Sequence, residues 1–303
     1  MTHHRHHKLQ LQIRPVAFVA GSAHFDVIAR QADVPTVAFD KPGTVTFTLG
    51  GASCNVAVNL AKLGIHCRFF TALPPGVYSD LVLQELQRAG VEPRVVSAPR
   101  LPLAMFSAHL DVHGEPVSTI TSAPVEDFRF TATEVRTAMN GARLALLDTN
   151  LSGEALDLIV GVANDLEIPV FILSAAEVKT PRILQITGDM AGVFLNRDEY
   201  RFLVQTKFPG HSRYEDLAAV LNTMVCITRD SDGAALVTAG GTEVVSPPSV
   251  PFSGNRMGAG DAFAAGVVYH RVIKAQSWTK AAVASMELVR DVLSRDGCNV
   301  AAK

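Results

Sequence analysis

The sequence predicts an α/β fold in which a doubly wound, mostly parallel sheet has helices on both faces and carries a small β-sheet lid. The chain has 303 residues, of which 48% are hydrophobic and 18% charged, so it can bury a large core. Short apolar runs alternate with helical patterns, as in βαβ units. No apolar stretch approaches the roughly 20 residues that span a bilayer.

Each element of the alternation rests on its own local pattern. Apolar runs bounded by turn residues predict strands at residues 16–22, 66–73, 143–148, 169–173, 192–195 and 224–228. Apolar residues at helical spacing predict helices at residues 53–63, 80–89, 153–164 and 214–222, and a further helix that begins near Gly260. Gly64 and Gly90 end the first two of these helices.

Two segments, 34–49 and 103–121, interrupt the alternation. They have period-two patterns around the turn sequences Lys41-Pro42-Gly43 and His113-Gly114-Glu115, so each predicts a hairpin. We expect the two hairpins to pair into a lid that shields a site from water, and the alternative is that they extend the main sheet. Residues 13–303 then form one domain, and the His-rich segment 1–12 is interpreted as a disordered tail or a tag remnant.

Charge and cysteine usage exclude several classes of partner. The 27 Lys and Arg residues nearly balance the 29 Asp and Glu residues, which disfavours nucleic acid and anionic membranes as partners. The four cysteines are scattered, without the spacing of a zinc site: Cys54, Cys67, Cys226 and Cys298. This usage is typical of a reducing compartment, so we expect a cytoplasmic location.

A glycine-rich run near the C-terminal end, SGNRMGAGDAFAAG at 253–266, indicates an anion site. Gly258-Ala259-Gly260 lets backbone amides approach a ligand, and the following helix directs its unpaired N–H groups and positive dipole to the same point. Asp261 lies in the first turn, where a carboxylate can take a proton from a hydroxyl that attacks a nucleotide phosphate. The alternative is that Asp261 only caps its helix and the glycines allow close packing.

A second run, from Gly50 to Gly64, indicates a polyol site. Gly50 and Gly51 lead into a helix whose first turn carries Asn55, so that backbone amides and a carboxamide converge. Without the two glycines the segment reads as an ordinary amphipathic helix.

Together these runs, with Gly21-Ser22-x-x-x-Asp26 after the first strand, resemble the paired signatures of the PfkB/ribokinase family of carbohydrate kinases. The resemblance extends from about residue 16 to the last helices and implies a ribokinase-like fold, with ATP and Mg²⁺ as cofactors. It implies that Asp261 is the catalytic base and that Gly258, Ala259 and Gly260 form the anion hole. It also implies four residues that bind sugar hydroxyls: Asp26, Gly50, Gly51 and Asn55.

Two further motifs resemble the family's motifs that bind the nucleotide. Asn196-Arg197-Asp198-Glu199 matches the family's Asn-x-x-Glu, which implies that Asn196 binds ATP and that Glu199 binds Mg²⁺, directly or through water. By itself, Glu199 reads as an acidic residue in the first turn of a helix. Thr228 to Gly233 matches Thr-x-Gly-x-x-Gly, which implies that Thr228 and Gly233 contact ATP.

Some positions depart from the family pattern. Asp230 replaces the middle glycine of the nucleotide turn and adds a negative charge near phosphate. Asn255-Arg256-Met257 replaces Asp-x-Thr, which removes a carboxylate of the family's monovalent-cation site, so potassium activation is not implied. The segment 74–80 replaces the usual Gly-x-Asp-x-x-Gly loop. The Asn-x-x-Gly-Ala-Gly-Asp arrangement, with residues 148–156, is most similar to the pseudouridine kinases of the family.

His24, two residues before Asp26, has two interpretations: a hydrogen bond to a sugar or base, or a structural group at the end of a strand. The function that the resemblance implies is ATP-dependent phosphorylation of a hydroxyl on a ribose-like sugar or nucleoside, with pseudouridine favoured, by a homodimer joined through the lid. Asp230 and Asn255 favour the alternative of a catalytically weak or inactive sugar-binding protein. A dinucleotide-dependent oxidoreductase is disfavoured because the first strand is not followed by G-x-G-x-x-G.

Overall fold

The computed structural model describes residues 14–32, 40–113, 116–210, 213–247 and 257–294, so the predicted tail at 1–12 lies outside the described residues, as do Asn255 and Arg256. The strands are β1 (Val16–Ala20), β2 (His24–Gln31), β3 (Gly43–Gly50), β4 (His66–Leu73), β5 (Val91–Ser97), β6 (Met105–Leu110), β7 (Pro116–Ser122), β8 (Ala142–Asp148), β9 (Val170–Leu173), β10 (Gly192–Asn196), β11 (Val225–Thr228), β12 (Ala234–Thr238) and β13 (Gly241–Val245).

Nine of these strands form the main sheet, in the order β13-β12-β11-β10-β9-β8-β1-β4-β5. Strands β4, β5 and β8 to β11 run parallel to β1 along this order, whereas β12 and β13 are antiparallel additions at one edge. The sheet is therefore mostly parallel, as predicted. In such a sheet the carboxyl ends of the strands meet at one edge, which is where open α/β folds bind their ligands.

Helices cover both faces of this sheet: α1 (Ala52–Lys62), α2 (Val77–Arg88), α3 (Ala132–Met139), α4 (Gly153–Asp165), α5 (Arg197–Lys207), α6 (Tyr214–Leu221), α7 (Ala259–Val268) and α8 (Trp278–Leu293). The alternation of β1 shows why both faces are apolar, since successive side chains of a strand point to opposite faces. Phe18 packs in one core with Leu156 of α4, whereas Val19 packs in the other with Leu60 of α1 and Phe263 of α7. Among the described helices, none is both long and apolar enough to cross a membrane.

The other four strands form a separate small sheet, in the order β3-β2-β6-β7, as predicted for the lid. The hairpin predicted within 103–121 is present as the antiparallel pair β6 and β7. Of the hairpin predicted within 34–49 only the second half is described, as β3, which pairs with β2, a strand that the sequence analysis did not predict. Residues 33–39 lie outside the described residues. The parallel pairing of β2 with β6 joins the two halves of the small sheet.

Candidate active site

A cleft of about 440 Å³ opens between the small sheet and the carboxyl edge of the main sheet. Asp26 of β2, Phe106 of β6 and Thr121 of β7 form its wall on the small sheet. This wall is one face of that sheet, because Asp26 lies opposite Phe106 and Phe106 opposite Thr121. Nine of the site residues predicted from the sequence line the cleft: Asp26, Gly51, Asn55, Asn196, Glu199, Thr228, Gly258, Gly260 and Asp261.

Helix α7 begins in this cleft at an uncapped end. Gly258 precedes it with φ of 81°, in the left-handed region that favours glycine, and no side chain caps the first turn. The first N–H groups of a helix have no partner within it, so the start of α7 is the kind of position that binds an anion. Asp261 does not act as the cap of its own helix. Its Oδ2 instead accepts a hydrogen bond of 2.8 Å from Asn55 Nδ2, which belongs to α1.

The surroundings of Asp261 favour its protonated form. Burial raises the pKa of this carboxyl to about 7, because an ionised carboxylate loses hydration in the cleft. The hydrogen bond from Asn55 opposes this shift, and the negative charges of Asp148, Glu199 and Asp26 add to it. A general base works best when its pKa lies near the operating pH, so this carboxylate is suited to accepting a proton from an alcohol.

The pair Gly50-Gly51 is required by close approach of the chain to β2. A side chain at Gly50 would place its Cβ 2.1 Å from Asp26 Oδ1, and one at Gly51 would place its Cβ 2.1 Å from the Ser22 carbonyl oxygen. Gly51 also has φ of 108°, a strained conformation for other residues. Gly50 is thus absent from the cleft lining yet makes room for the Asp26 carboxylate beside it.

Asp148 is a residue of this region whose role the sequence analysis missed. Its side chain is buried, and its Oδ2 accepts hydrogen bonds from Ser53 N at 3.0 Å and Ser53 Oγ at 2.7 Å. Its Oδ1 accepts a bond of 2.8 Å from Asn150 N. The carboxylate therefore fixes the first turn of α1, which carries Asn55. An acidic residue directly after the apolar run 144–147 is the pattern that indicates such a site.

The Asn-x-x-Glu motif forms a reciprocal cap at the start of α5. Asn196 Oδ1 accepts bonds from the N–H groups of Asp198 and Glu199, and Glu199 Oε2 accepts one of 2.7 Å from Asn196 N. The interpretation of Glu199 as a helix-start acid is thus structurally correct, but this side chain also lines the cleft. Burial raises its pKa, and the nearby charges of Glu177 and Asp198 add to the shift.

The carboxylates that line the cleft determine whether the site fits Mg²⁺. The cleft gathers carboxylates that repel one another, and within the described residues no group of three or more metal-binding side chains is present. Mg²⁺ in nucleotide sites takes one or two carboxylates and completes its coordination with phosphates and water. Glu199 fits that pattern as a single protein carboxylate, so the described residues fit a magnesium ion carried in with a nucleotide.

Of the two residues of the turn after β11 that are predicted to contact ATP, one lines the cleft and the other does not. Thr228 lies beside Asn196 in the pairing of β11 with β10 and lines the cleft. Gly233 does not line it. This glycine has φ of 77°, and a Cβ there would lie 2.1 Å from the Val245 carbonyl oxygen. Asp230, at the position of the family's middle glycine, has φ of 50°. The turn therefore keeps a left-handed conformation at this position without a glycine.

Tyr78, in the segment that departs from the family loop, ties α2 to the small sheet. Its hydroxyl accepts a hydrogen bond of 3.0 Å from Phe25 N of β2 and donates one to the carbonyl of Ala104, just before β6. The ring of Phe25 packs edge-on against that of Tyr78, with centroids 5.7 Å apart. This contact positions the strand that carries Asp26, and only the tertiary structure reveals it.

Comparison with known proteins agrees with this geometry. The sequence profile described as pfkB family carbohydrate kinase matches residues 16–290, a range that contains every residue of the cleft. A relative described as pseudouridine kinase, from Escherichia coli strain K12, is 27% identical over 263 residues, which are 82% of this chain and 81% of that protein.

Two further comparisons concern a shorter match and a solved structure. The uncharacterized sugar kinase YeiI of Escherichia coli strain K12 is 30% identical over 174 residues, 54% of this chain and 46% of that protein, so the chain matches less than half of its length. The structure of Arabidopsis thaliana ribokinase complexed with ribose and ATP superimposes with a TM-score of 0.74 at 18% identity and covers 94% of each chain. The fold is therefore ribokinase-like.

Proposed function

Because the chain belongs to the pfkB family of carbohydrate kinases, we propose that it transfers the terminal phosphoryl group of ATP to a hydroxyl of a ribose-like sugar or nucleoside. Membership of this family indicates a carbohydrate or nucleoside kinase of the ribokinase type. The observation that carries the finer proposal is the hydrogen bond from Asn55 to Asp261, which joins the predicted acceptor motif to the predicted base. Pseudouridine is the favoured acceptor, since a pseudouridine kinase matches over most of both chains.

In the proposed reaction, residues on the two sides of the cleft have different roles. Asp26 and Asn55 hold hydroxyls of the acceptor, and Asp261 accepts the proton of the attacking hydroxyl as its oxygen bonds to the terminal phosphorus of ATP. The bond from that phosphorus to the bridging oxygen breaks, and ADP leaves. The N–H groups of Ala259 and Gly260 receive the charge on the phosphoryl oxygens. A magnesium ion near Glu199 would neutralise phosphate charge when bound.

The other candidate is a protein that binds a sugar or nucleoside with little or no turnover. Asp230 favours it, because an acidic residue at the nucleotide turn repels phosphate and removes the freedom that a glycine has there. The two candidates differ in whether ATP is consumed when the acceptor is present.

A phosphorylation screen distinguishes them. Purified protein is incubated with ATP and Mg²⁺ and with pseudouridine, uridine, guanosine, inosine, ribose or fructose, while ADP release is recorded and the products are identified by mass spectrometry. Acceptor-dependent ADP release with a phosphorylated pseudouridine product supports the proposal, and the Asp261→Asn variant is the control. Binding of pseudouridine in calorimetry without any ADP release would favour the binding protein.

We further propose that the small sheet joins two copies of the chain. Val45, Phe47 and Ile120 lie on the face opposite to Asp26 and are 59%, 64% and 71% exposed. Apolar side chains exposed together on one sheet face are typical of an interface. Phe47→Asp is expected to convert a dimer to a monomer in light scattering, whereas Val178→Asp, at a residue 73% exposed elsewhere, leaves the mass unchanged. A wild-type monomer at micromolar concentration would contradict this proposal.

The buried thiols are consistent with a reducing location. Cys67 and Cys226 are buried, and burial raises the pKa of each thiol, which keeps it protonated and unreactive. We therefore retain the cytoplasm as the proposed location.

A further inference from the structure

A chain of three buried polar side chains leads into the cleft along the start of β2. Ser22, His24 and Asp26 are 1%, 5% and 5% exposed. Ser22 Oγ lies 3.0 Å from His24 Nδ1, and His24 Nε2 lies 3.3 Å from Asp26 Oδ1. The three residues occupy alternate positions, which places them on one face of an extended chain. His24 and Asp26 both line the cleft.

The chemistry of these groups indicates which nitrogen of His24 carries the proton. An ionised carboxylate attracts an N–H group and repels a lone pair, so the contact of His24 Nε2 with Asp26 Oδ1 favours a proton on Nε2. In a neutral imidazole the other nitrogen then accepts, so His24 Nδ1 receives the hydroxyl proton of Ser22. Both nitrogens of His24 are used in this arrangement, and neither remains for a sugar or base. The direct substrate contact that the sequence left open is therefore disfavoured.

The arrangement acts on Asp26. Asp26 Oδ1 lies 3.3 Å from His24 Nε2. On another side it fills the space beside Gly50, since a Cβ at Gly50 would lie 2.1 Å from Asp26 Oδ1. A side chain held in one rotamer loses less conformational entropy when it binds a ligand than a mobile one does. We propose that His24 is a positioning residue that holds Asp26 in the orientation in which its carboxylate accepts hydrogen bonds from the hydroxyls of the acceptor.

This inference rests on the proposed kinase function and predicts a selective kinetic effect. His24→Ala is expected to raise the KM for pseudouridine about tenfold, while kcat changes less than about twofold and the KM for ATP is unchanged, since only the acceptor is affected. His24→Gln retains a side-chain N–H donor and should recover the wild-type KM to within about threefold. Equal losses for both substrates, or no recovery by glutamine, would overturn the positioning role.

A matched control separates this effect from general damage to the fold. His66→Ala removes a half-exposed histidine that pairs with Glu92 at the start of β4, at the far end of the main sheet from the cleft. This variant is expected to keep both KM values. If wild-type protein is active but His24→Ala has wild-type kinetics, the inference fails and the proposed function stands.

A second measurement does not depend on phosphoryl transfer. Long-range ¹H–¹⁵N correlation spectra report the tautomer of a histidine ring, and the His24 signal is assigned by its loss in His24→Gln. We expect the Nε2–H tautomer in the protein without ligand, and an Nδ1–H tautomer would overturn the inference. If no acceptor is phosphorylated, pseudouridine binding is compared by calorimetry. Weaker binding by His24→Ala supports the role, and equal or absent binding in both proteins overturns it.

Discussion

Asn55 and Asp261 are 206 positions apart in the chain, yet Asn55 Nδ2 donates a hydrogen bond of 2.8 Å to Asp261 Oδ2. Each residue lies in the first turn of its own helix, α1 or α7, and these two helices pack against the same face of the main sheet. The contact therefore joins two glycine-led helix starts at one point of the cleft. The expected behaviour of Asp261 follows from this contact and from its burial.

Replacement of Asp261 by asparagine is expected to reduce kcat by about 10²–10⁴-fold, which is the usual contribution of a general base. The measurement is the rate of ADP release with saturating pseudouridine and ATP, and circular dichroism checks that the fold is retained. Turnover at the wild-type rate would show that another group accepts the proton.

The same variant is expected to be more stable than wild type at pH 8. Folding raises the pKa of Asp261 from 3.8 to about 7, so the stability that the protonated carboxyl contributes is lost as pH rises through 7. Asparagine carries no charge at any pH, and we expect a gain of about 1–2 kcal/mol in the free energy of unfolding at pH 8. Urea denaturation should show this gain shrink towards pH 4, and a gain independent of pH would contradict the cause.

The activity of the wild-type protein should depend on pH with an acid limb near 7. The base must be ionised, so kcat/KM for the acceptor is expected to fall about tenfold per unit below the pKa of Asp261, which lies at about 7. Asn55→Ala removes the N–H that favours the carboxylate, and its limb should move to higher pH. A flat profile between pH 5.5 and 8 would exclude Asp261 as the group that titrates.

Gly50→Ala is expected to raise the KM for the acceptor at least about tenfold, with little change in the KM for ATP. The added methyl group would lie 2.1 Å from Asp26 Oδ1 and would displace that carboxylate. The matched control is Gly161→Ala in α4, where no neighbouring atom lies within 4 Å of the added Cβ. This control should gain about 0.5–1 kcal/mol in stability, as alanine does over glycine in a helix, and keep both KM values.

Asp230→Gly is expected to lower the KM for ATP several-fold and to raise stability by up to about 1 kcal/mol. Glycine adopts the φ of 50° found at Asp230 without strain, and the change removes a negative charge from the nucleotide turn. Asn222→Gly is the control, since Asn222 has φ of 49° at the end of α6 and lies outside the nucleotide turn 228–233. A similar fall in the KM for ATP in both variants would argue against a local effect.

The sequence predicts a strand or helix well where the pattern of apolar residues depends on that element alone. The strand predicted at 66–73 has the bounds of β4, whose residues 69–73 are all buried between the helix layers of the sheet. Strand β5 has no prediction, since Glu92, Pro93 and Arg94 interrupt its apolar pattern at the edge of the sheet. Edge strands tolerate both charge and proline, so their sequences resemble loops.

Long-range pairing explains the parts of the site that sequence alone does not give. Strand β2 follows β1 after a short turn and pairs with β3 in a register from Gln31 opposite Gly43 to His24 opposite Gly50, which the turn residues Lys41 and Pro42 do not indicate. The glycine motifs and Asp26 are recognisable from their spacing. The support that Asp148 and Tyr78 give to these residues is not, because their hydrogen-bond partners are 95 and 53 positions away.

The division of the cleft between two sheets has a consequence for when transfer takes place. Asp26 belongs to the small sheet and Asp261 to a helix packed on the large one, so no single rigid element sets the separation of the two carboxylates. In the proposed mechanism, a hinge movement of the small sheet would carry the acceptor alcohol away from Asp261. In the proposed mechanism, water that enters an open cleft would find the base and the acceptor site apart, which would limit hydrolysis of the nucleotide.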